Sequence, residues 1–399
     1  MAVTAQPLLP LPIETDRLRA DSAPVMAEIR RAGSRALLPT PALVCDVDAL
    51  DANLAWMAAL ATWSGVSLRP HAKTHKSAFV ARRQLALGAA GISCATVSEA
   101  EVLVDRLRTD GWDGRLSVLV TSPTAGPAVS GRVARLNRRC DLLVVVDHPD
   151  GVDELAAVVG DHPLGVVVDV DVGLGRTGVT GPEGARQLAA RLGLHPGLRL
   201  AGVQGYAGHS QHIAGREARA RATRSSDARL AEVIGALEAD GHHVALRTGG
   251  GTGTSGLDLE HGVLNELQVG SYVFMDREYS DALGDDPEGG FAQSLTIATT
   301  VVSANQPGFV TVDAGLKSMA TDAGPPEVLG RPDGVTYHFF GDEHGLVTRG
   351  PDTPLRRGDR LDLVPPHCDP TVDRYDVLWL VPGDTVVGVT DIDARGCSQ

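Results

Sequence analysis

Between Val66 and Val269 the chain alternates eight short apolar runs with segments of helical spacing, and this alternation limits its possible folds more than any other feature. The runs are residues 66–69, 92–95, 118–120, 142–146, 166–170, 200–206, 244–247 and 266–269. They read as buried strands. The segments between them read as helices, such as 99–107, opened by Ser98 with Glu101 in capping-box spacing, and 215–239, rich in Ala, Arg and Glu. Eight strand–helix pairs over roughly two hundred residues are what a parallel (β/α)8 barrel requires. A doubly wound sheet is the competitor. The count of eight and the position of the polar motifs after the strands favour the barrel, whose chemistry sits at the C-terminal ends of its strands.

The flanks have a different texture. Residues 1–35 begin as a Pro-rich arm and continue as an amphipathic helix around 22–32, Thr40 to Asp46 reads as a strand, and 48–60 as a helix. Residues 280–290 are rich in Gly and Asp and read as a loop. Beyond them, period-two runs at 294–302, 308–313 and 385–389, with turn signals Pro332-Asp333-Gly334 and Arg357-Gly358-Asp359, predict an antiparallel β domain. The expected organisation is an arm and helix (1–35), a barrel (36–280) and a C-terminal β domain (281–399).

Composition narrows the function classes. A net charge of −14 argues against a phosphate-backbone partner, which needs a basic stripe. Residues 1–13 lack a basic-then-apolar leader, and no segment approaches eighteen uncharged apolar residues, so no membrane association is expected and the cytoplasm is the expected location. Five scattered cysteines, an odd number, do not suggest a disulfide framework.

Five clusters carry the chemistry. Arg69-Pro70-His71-Ala72-Lys73-Thr74-His75-Lys76 lies at a strand-to-helix junction; if the strand persists to His75, then His71, Lys73 and His75 share a face. A lysine there, its pKa lowered by cations or burial, could form a Schiff base with a carbonyl. Asp169 to Gly178 follows the fifth run, and its Arg176 can hold a cofactor atom in a fixed ionic state. Tyr206, His209 and His212 follow the sixth, the histidines being candidate proton acceptors. Thr248-Gly249-Gly250-Gly251-Thr252 follows the seventh and suits a phosphate dianion. Far downstream, His367 and Asp369 would share a face of an extended segment and could hold one divalent cation with open positions left for water and substrate.

The segment Arg-Pro-His-x-Lys-Thr-His-Lys resembles the cofactor-lysine segment of pyridoxal-phosphate enzymes with an alanine-racemase-type barrel (fold type III), specifically the D-threonine aldolase and D-serine dehydratase branch. The resemblance covers the chain from about Thr40 onward. It implies that Lys73 carries pyridoxal 5'-phosphate, with His71, Arg176, Tyr206, Thr248, Gly250, Gly251 and Thr252 around it, and with Gly270, Ser271 and Tyr272 as the other half of the phosphate cradle. It places His212 near the substrate hydroxyl, makes His367 and Asp369 ligands of Mn, Mg or Zn, adds the strand at 40–46 to the β domain, and suggests a homodimer.

The implied activity is a lyase on D-β-hydroxy-α-amino acids. A D-threonine aldolase releases glycine and an aldehyde; a D-serine or D-threonine dehydratase gives a 2-oxo acid and ammonia. Asp369, where some dehydratases have cysteine, and the histidines after Tyr206 tilt the reading toward the aldolase. A racemase would have no use for the metal. A non-catalytic pyridoxal-phosphate-binding protein would lack the β domain.

Overall fold

The structure, a computed structural model, describes residues 10–13, 15–284, 290–330, 334–349 and 354–399. All eight apolar runs are strands: β2 (Ser67–Leu68), β3 (Ile92–Cys94), β4 (Ser117–Val120), β5 (Asp141–Val146), β6 (Leu164–Asp169), β7 (Leu198–Gly205), β8 (Leu246–Gly249) and β9 (Glu266–Leu267) follow β1 (Ala42–Cys45). They form one parallel sheet in the order β2-β9-β8-β7-β6-β5-β4-β3. Its edges meet: His71 bridges Ser93, Ser93 N–H donates to Pro70 O (2.9 Å), and Ala90 N–H donates to Leu68 O (2.7 Å). The sheet is therefore a closed barrel, with helices in the crossovers as right-handed βαβ units require.

Helix boundaries follow their caps. Asp46 accepts from the amides of Asp48 and Ala49, and Gly65, at φ +68°, ends the Val47–Ser64 helix in a left-handed turn. The Val97–Thr109 helix starts earlier than Ser98 and Glu101 suggest, with Thr96 Oγ1 accepting from Glu99 N (3.2 Å). Val97 is buried, so core packing draws the first turn back. The long Arg216–Ala239 helix lies where its composition places it. At the N-terminus the expected helix shortens to a 3-10 turn (Ala20–Ser22) and a five-residue helix (Ala23–Ala27); the arm at 1–9 is outside the described residues.

The second sheet comprises β1 with β10 (Leu295–Ser303), β11 (Phe309–Val312), β12 (Glu327–Val328), β13 (Tyr337–Phe339), β14 (Gly345–Thr348), β15 (Arg360–Val364), β16 (Val377–Leu380) and β17 (Gly388–Asp391). Strand β1 lies between β10, antiparallel, and β16, parallel, so the sheet is mixed rather than purely antiparallel. Residues 385–387 precede the final strand, with Thr385 N–H closing a turn on Pro382 O. Part of the expected loop is a helix, Arg277–Leu283, capped by Asp276; residues 285–289 and the 332–333 turn lie outside the described set.

Period-two alternation in β1 joins the halves. Leu43 and Cys45 enter the large core shared with the barrel helices, whereas Ala42 and Val44 enter a smaller core with Val25, Leu38 and Trp379. The shared core fixes the second sheet over the barrel mouth.

Candidate active site

Residues that follow the strands converge on a cavity of about 140 Å3 at the C-terminal end of the barrel. Its walls include His71, Lys73 and Thr74 after β2, Thr121 and Ser122 after β4, Arg176 after β6, Tyr206 after β7, Gly250 to Thr252 after β8, and Gly270 and Ser271 after β9.

The lysine segment is not extended, contrary to the sequence expectation. Pro70 has no amide to donate, and His71 Nδ1 accepts from Lys73 N (3.3 Å), which stabilises a 3-10 turn at Ala72–Thr74. His71 and Lys73 thus reach the cavity while His75 turns into the protein, where its Nδ1 accepts from Ser77 N. His71 Nε2 lies 3.0 Å from Thr121 Oγ1, which itself donates to Cys94 O, so Nε2 carries the proton of a neutral ring. Burial and the Lys73 charge push His71 down to about 3.

Lys73 also departs from expectation. Its Nζ lies 2.6 Å from Asp369 Oδ2, and that carboxylate, against the opposing effect of burial, raises the amine above its ordinary value. Burial alone would raise Asp369, but the Lys73 and His367 charges outweigh it and hold the carboxyl well below the usual range.

The far wall is bare backbone. Gly250 takes φ +71°, and a Cβ there would stand 2.6 Å from Asp258 Oδ2; one on Gly251 would stand 2.4 Å from Gln211 Oε1. Thr252 Oγ1 accepts from Tyr272 N (3.0 Å), tying the two glycine loops together. Glycine backbone opposite a lysine, with the Arg176 guanidinium 5.5 Å from the Tyr206 ring centroid, fits a phosphorylated aromatic aldehyde.

Three expected contacts lie elsewhere. Thr248 is buried beneath the cavity, its Oγ1 donating to Glu266 Oε1 (3.0 Å) within a polar barrel floor that includes Arg69. The Tyr272 ring packs on Phe291, and its hydroxyl accepts from Gln84. His209 is exposed on the Gly208–Ser210 turn, with Nε2 3.5 Å from Ser226 Oγ. The Thr248 and Tyr272 side chains are claimed by the core, whereas His209 points to solvent.

The second sheet supplies the rest. His367 and Asp369 are not on an extended segment: His367 precedes the Cys368–Val372 helix and Asp369 lies in its first turn. Asp276 holds this helix start, accepting from Cys368 N (2.8 Å) and Tyr279 N (2.9 Å). His367 Nδ1 is 2.7 Å from Asp322 Oδ2. Cys368 is fully buried, and burial keeps its thiol protonated. Among the described residues no group of three or more His, Cys, Asp or Glu is arranged to hold an ion, so a cation here would rest on fewer protein ligands, with its other positions open.

His212 faces the same region. Its ring packs on Tyr279 in a tilted arrangement, with centroids 4.3 Å apart and planes at 57°, Nδ1 lies 3.6 Å from Glu278 Oε1, and Nε2 is buried without a partner among the described residues. Sequence reading missed Thr121, Ser122, Asp276, Glu278, Tyr279 and Asp322. The first two carried a usable signal, as polar residues directly after a strand, and so did Asp276 as a helix cap.

A lysine after the first barrel strand, enclosed by a second sheet that begins in the N-terminal segment, is the architecture of the alanine-racemase class. The family model described as alanine racemase, N-terminal domain, matches residues 45–278, and one described as putative serine dehydratase domain matches residues 294–381. A D-threonine aldolase of Arthrobacter sp. is 39% identical over 371 residues, 91% of this chain and 94% of that protein. A 3-hydroxy-D-aspartate aldolase of Paracoccus denitrificans (strain Pd 1222) is 38% identical over 90% of this chain and 92% of its own length. The crystal structure of D-threonine aldolase from Filomicrobium marinum superposes with a TM-score of 0.86 at 35% identity, covering 91% of this chain and 98% of that one. The chain belongs to the D-threonine aldolase and D-serine dehydratase-like family of alanine-racemase-type proteins.

Proposed function

We propose that the protein is a pyridoxal-phosphate- and divalent-metal-dependent lyase of D-β-hydroxy-α-amino acids, acting as a D-threonine aldolase. The observation that carries this reading is the 2.6 Å approach of Lys73 Nζ to Asp369 Oδ2, which supports a single site for the residues that would bind cofactor and cation. Relatives named as aldolases at 38 and 39% identity support it.

Lys73 would hold the cofactor through its carbonyl carbon, with the glycine backbone at Gly250, Gly251 and Gly270 available to its phosphate and Arg176 and Tyr206 available to its ring. His367 and Asp369 would hold the cation. When bound, pyridoxal phosphate supplies an electron sink for charge left on Cα, and the cation a Lewis acid at the substrate hydroxyl. His212 accepts the hydroxyl proton at Nε2 while the Cα–Cβ bond breaks. Its suitability rests on a neutral ring, kept in place by Tyr279 and with Nε2 without a partner among the described residues. The cytoplasm and a homodimer complete the proposal, the first in keeping with the absence of any described helix long and apolar enough to cross a membrane.

Product analysis of the purified protein, loaded with cofactor and given Mn2+ and D-threonine, tests the reading against a Lys73→Ala control. Glycine and acetaldehyde are expected, with none from the variant. 2-Oxobutyrate and ammonia would instead make it a dehydratase. No product from any D-β-hydroxy amino acid would sink the lyase and favour a non-catalytic cofactor carrier.

A further inference from the structure

Asp322 lies 45 residues from His367 in sequence, on a turn that precedes β12, yet its Oδ2 is 2.7 Å from His367 Nδ1. The turn is clamped to the metal segment at several points. Thr371 Oγ1 donates to His367 O (2.7 Å) and accepts from Ala320 N (3.0 Å). Arg277 donates from its guanidinium to Ala323 O and from its amide to Pro365 O (3.1 Å). A carboxylate on a surface turn is thus aimed at one imidazole nitrogen by bonds that hold both of its flanks.

We propose that Asp322 is a positioning residue for the divalent cation: it accepts a hydrogen bond from the Nδ1–H of His367, fixing the tautomer and rotation that leave the Nε2 lone pair for the cation. This rests on the reading of His367 and Asp369 as cation ligands. An ionised carboxylate can only accept, so Nδ1 must donate, and the neutral ring then has its lone pair on Nε2. A carboxylate behind a ligating histidine also strengthens it as a donor.

The test is titration of cofactor-loaded protein with Mn2+ alone, following the free-ion electron paramagnetic resonance signal, for wild type, Asp322→Asn and His367→Ala. Co2+ absorption spectra are recorded on the first two, and melting of the ion-free forms checks that the fold is intact. Asp322→Asn is expected to bind Mn2+ about ten- to hundred-fold more weakly, with an unchanged Co2+ spectrum, since the ligand set is the same. Affinity within about twofold of wild type would overturn the proposal. Weaker binding with an altered Co2+ spectrum would overturn it too, by making Asp322 a ligand. Undiminished binding in His367→Ala would remove the underlying metal assignment, whatever Asp322 does.

Discussion

Burial lowers the His212 imidazole below the ordinary histidine value, while Glu278 and Asp276 pull it back up. The neutral ring is the form that accepts a proton, so activity that depends on it is full above the folded pKa and fades as pH falls through it. The acid limb of kcat/KM for D-threonine is therefore expected below pH 6.5, and Glu278→Gln, which removes a charge that raises the value, should move it lower still. An upward shift in that variant would assign proton acceptance to another group. That Lys73, Arg176 and Tyr206 line the cavity was legible because each belongs to a polar segment that follows an apolar strand. Tyr279 and Asp322 were not, because what makes them part of the site is contact across the fold.

Among elements, the eight strands were readable to within a few residues because unbroken apolar runs leave little choice of partner. Polar segments offered no such constraint: nothing periodic in His71 to Lys76 announces a 3-10 turn, and the Arg277–Leu283 helix runs into the start of a Gly- and Asp-rich stretch. The loop after β8 is predicted to be intolerant of a single methyl group. Gly251→Ala would press a Cβ to within 2.4 Å of the Gln211 amide, itself fully buried, so the loop must shift. A loss of roughly 1–3 kcal/mol in denaturant unfolding is expected, together with weaker uptake of pyridoxal phosphate in absorbance titrations. Unchanged cofactor affinity would mean that this wall does not meet the phosphate.

At the scale of the molecule, Lys76 links the two sheets' layers. Its Nζ pairs with Glu99 Oε1 (2.7 Å) on the barrel side and Asp373 Oδ1 (3.2 Å) on the other, and its carbonyl accepts from Ala394 N. Glu99 is almost fully buried, so Lys76→Met would strand its charge at a cost of roughly 3 kcal/mol. Equilibrium unfolding checks this, and adding Glu99→Gln should recover part of the loss; no change in the single variant would show that the pair contributes nothing net. The placement of β1 bears on synthesis as well as on stability. Its partner residues in β10 are about 250 positions downstream and those in β16 further still. At ~5–20 residues per second on the ribosome, β1 stays exposed for on the order of tens of seconds, while the whole barrel emerges behind it. Nascent chains of this protein therefore carry an unpaired apolar strand through most of translation, a natural handle for a holdase chaperone and a point of vulnerability whenever elongation stalls.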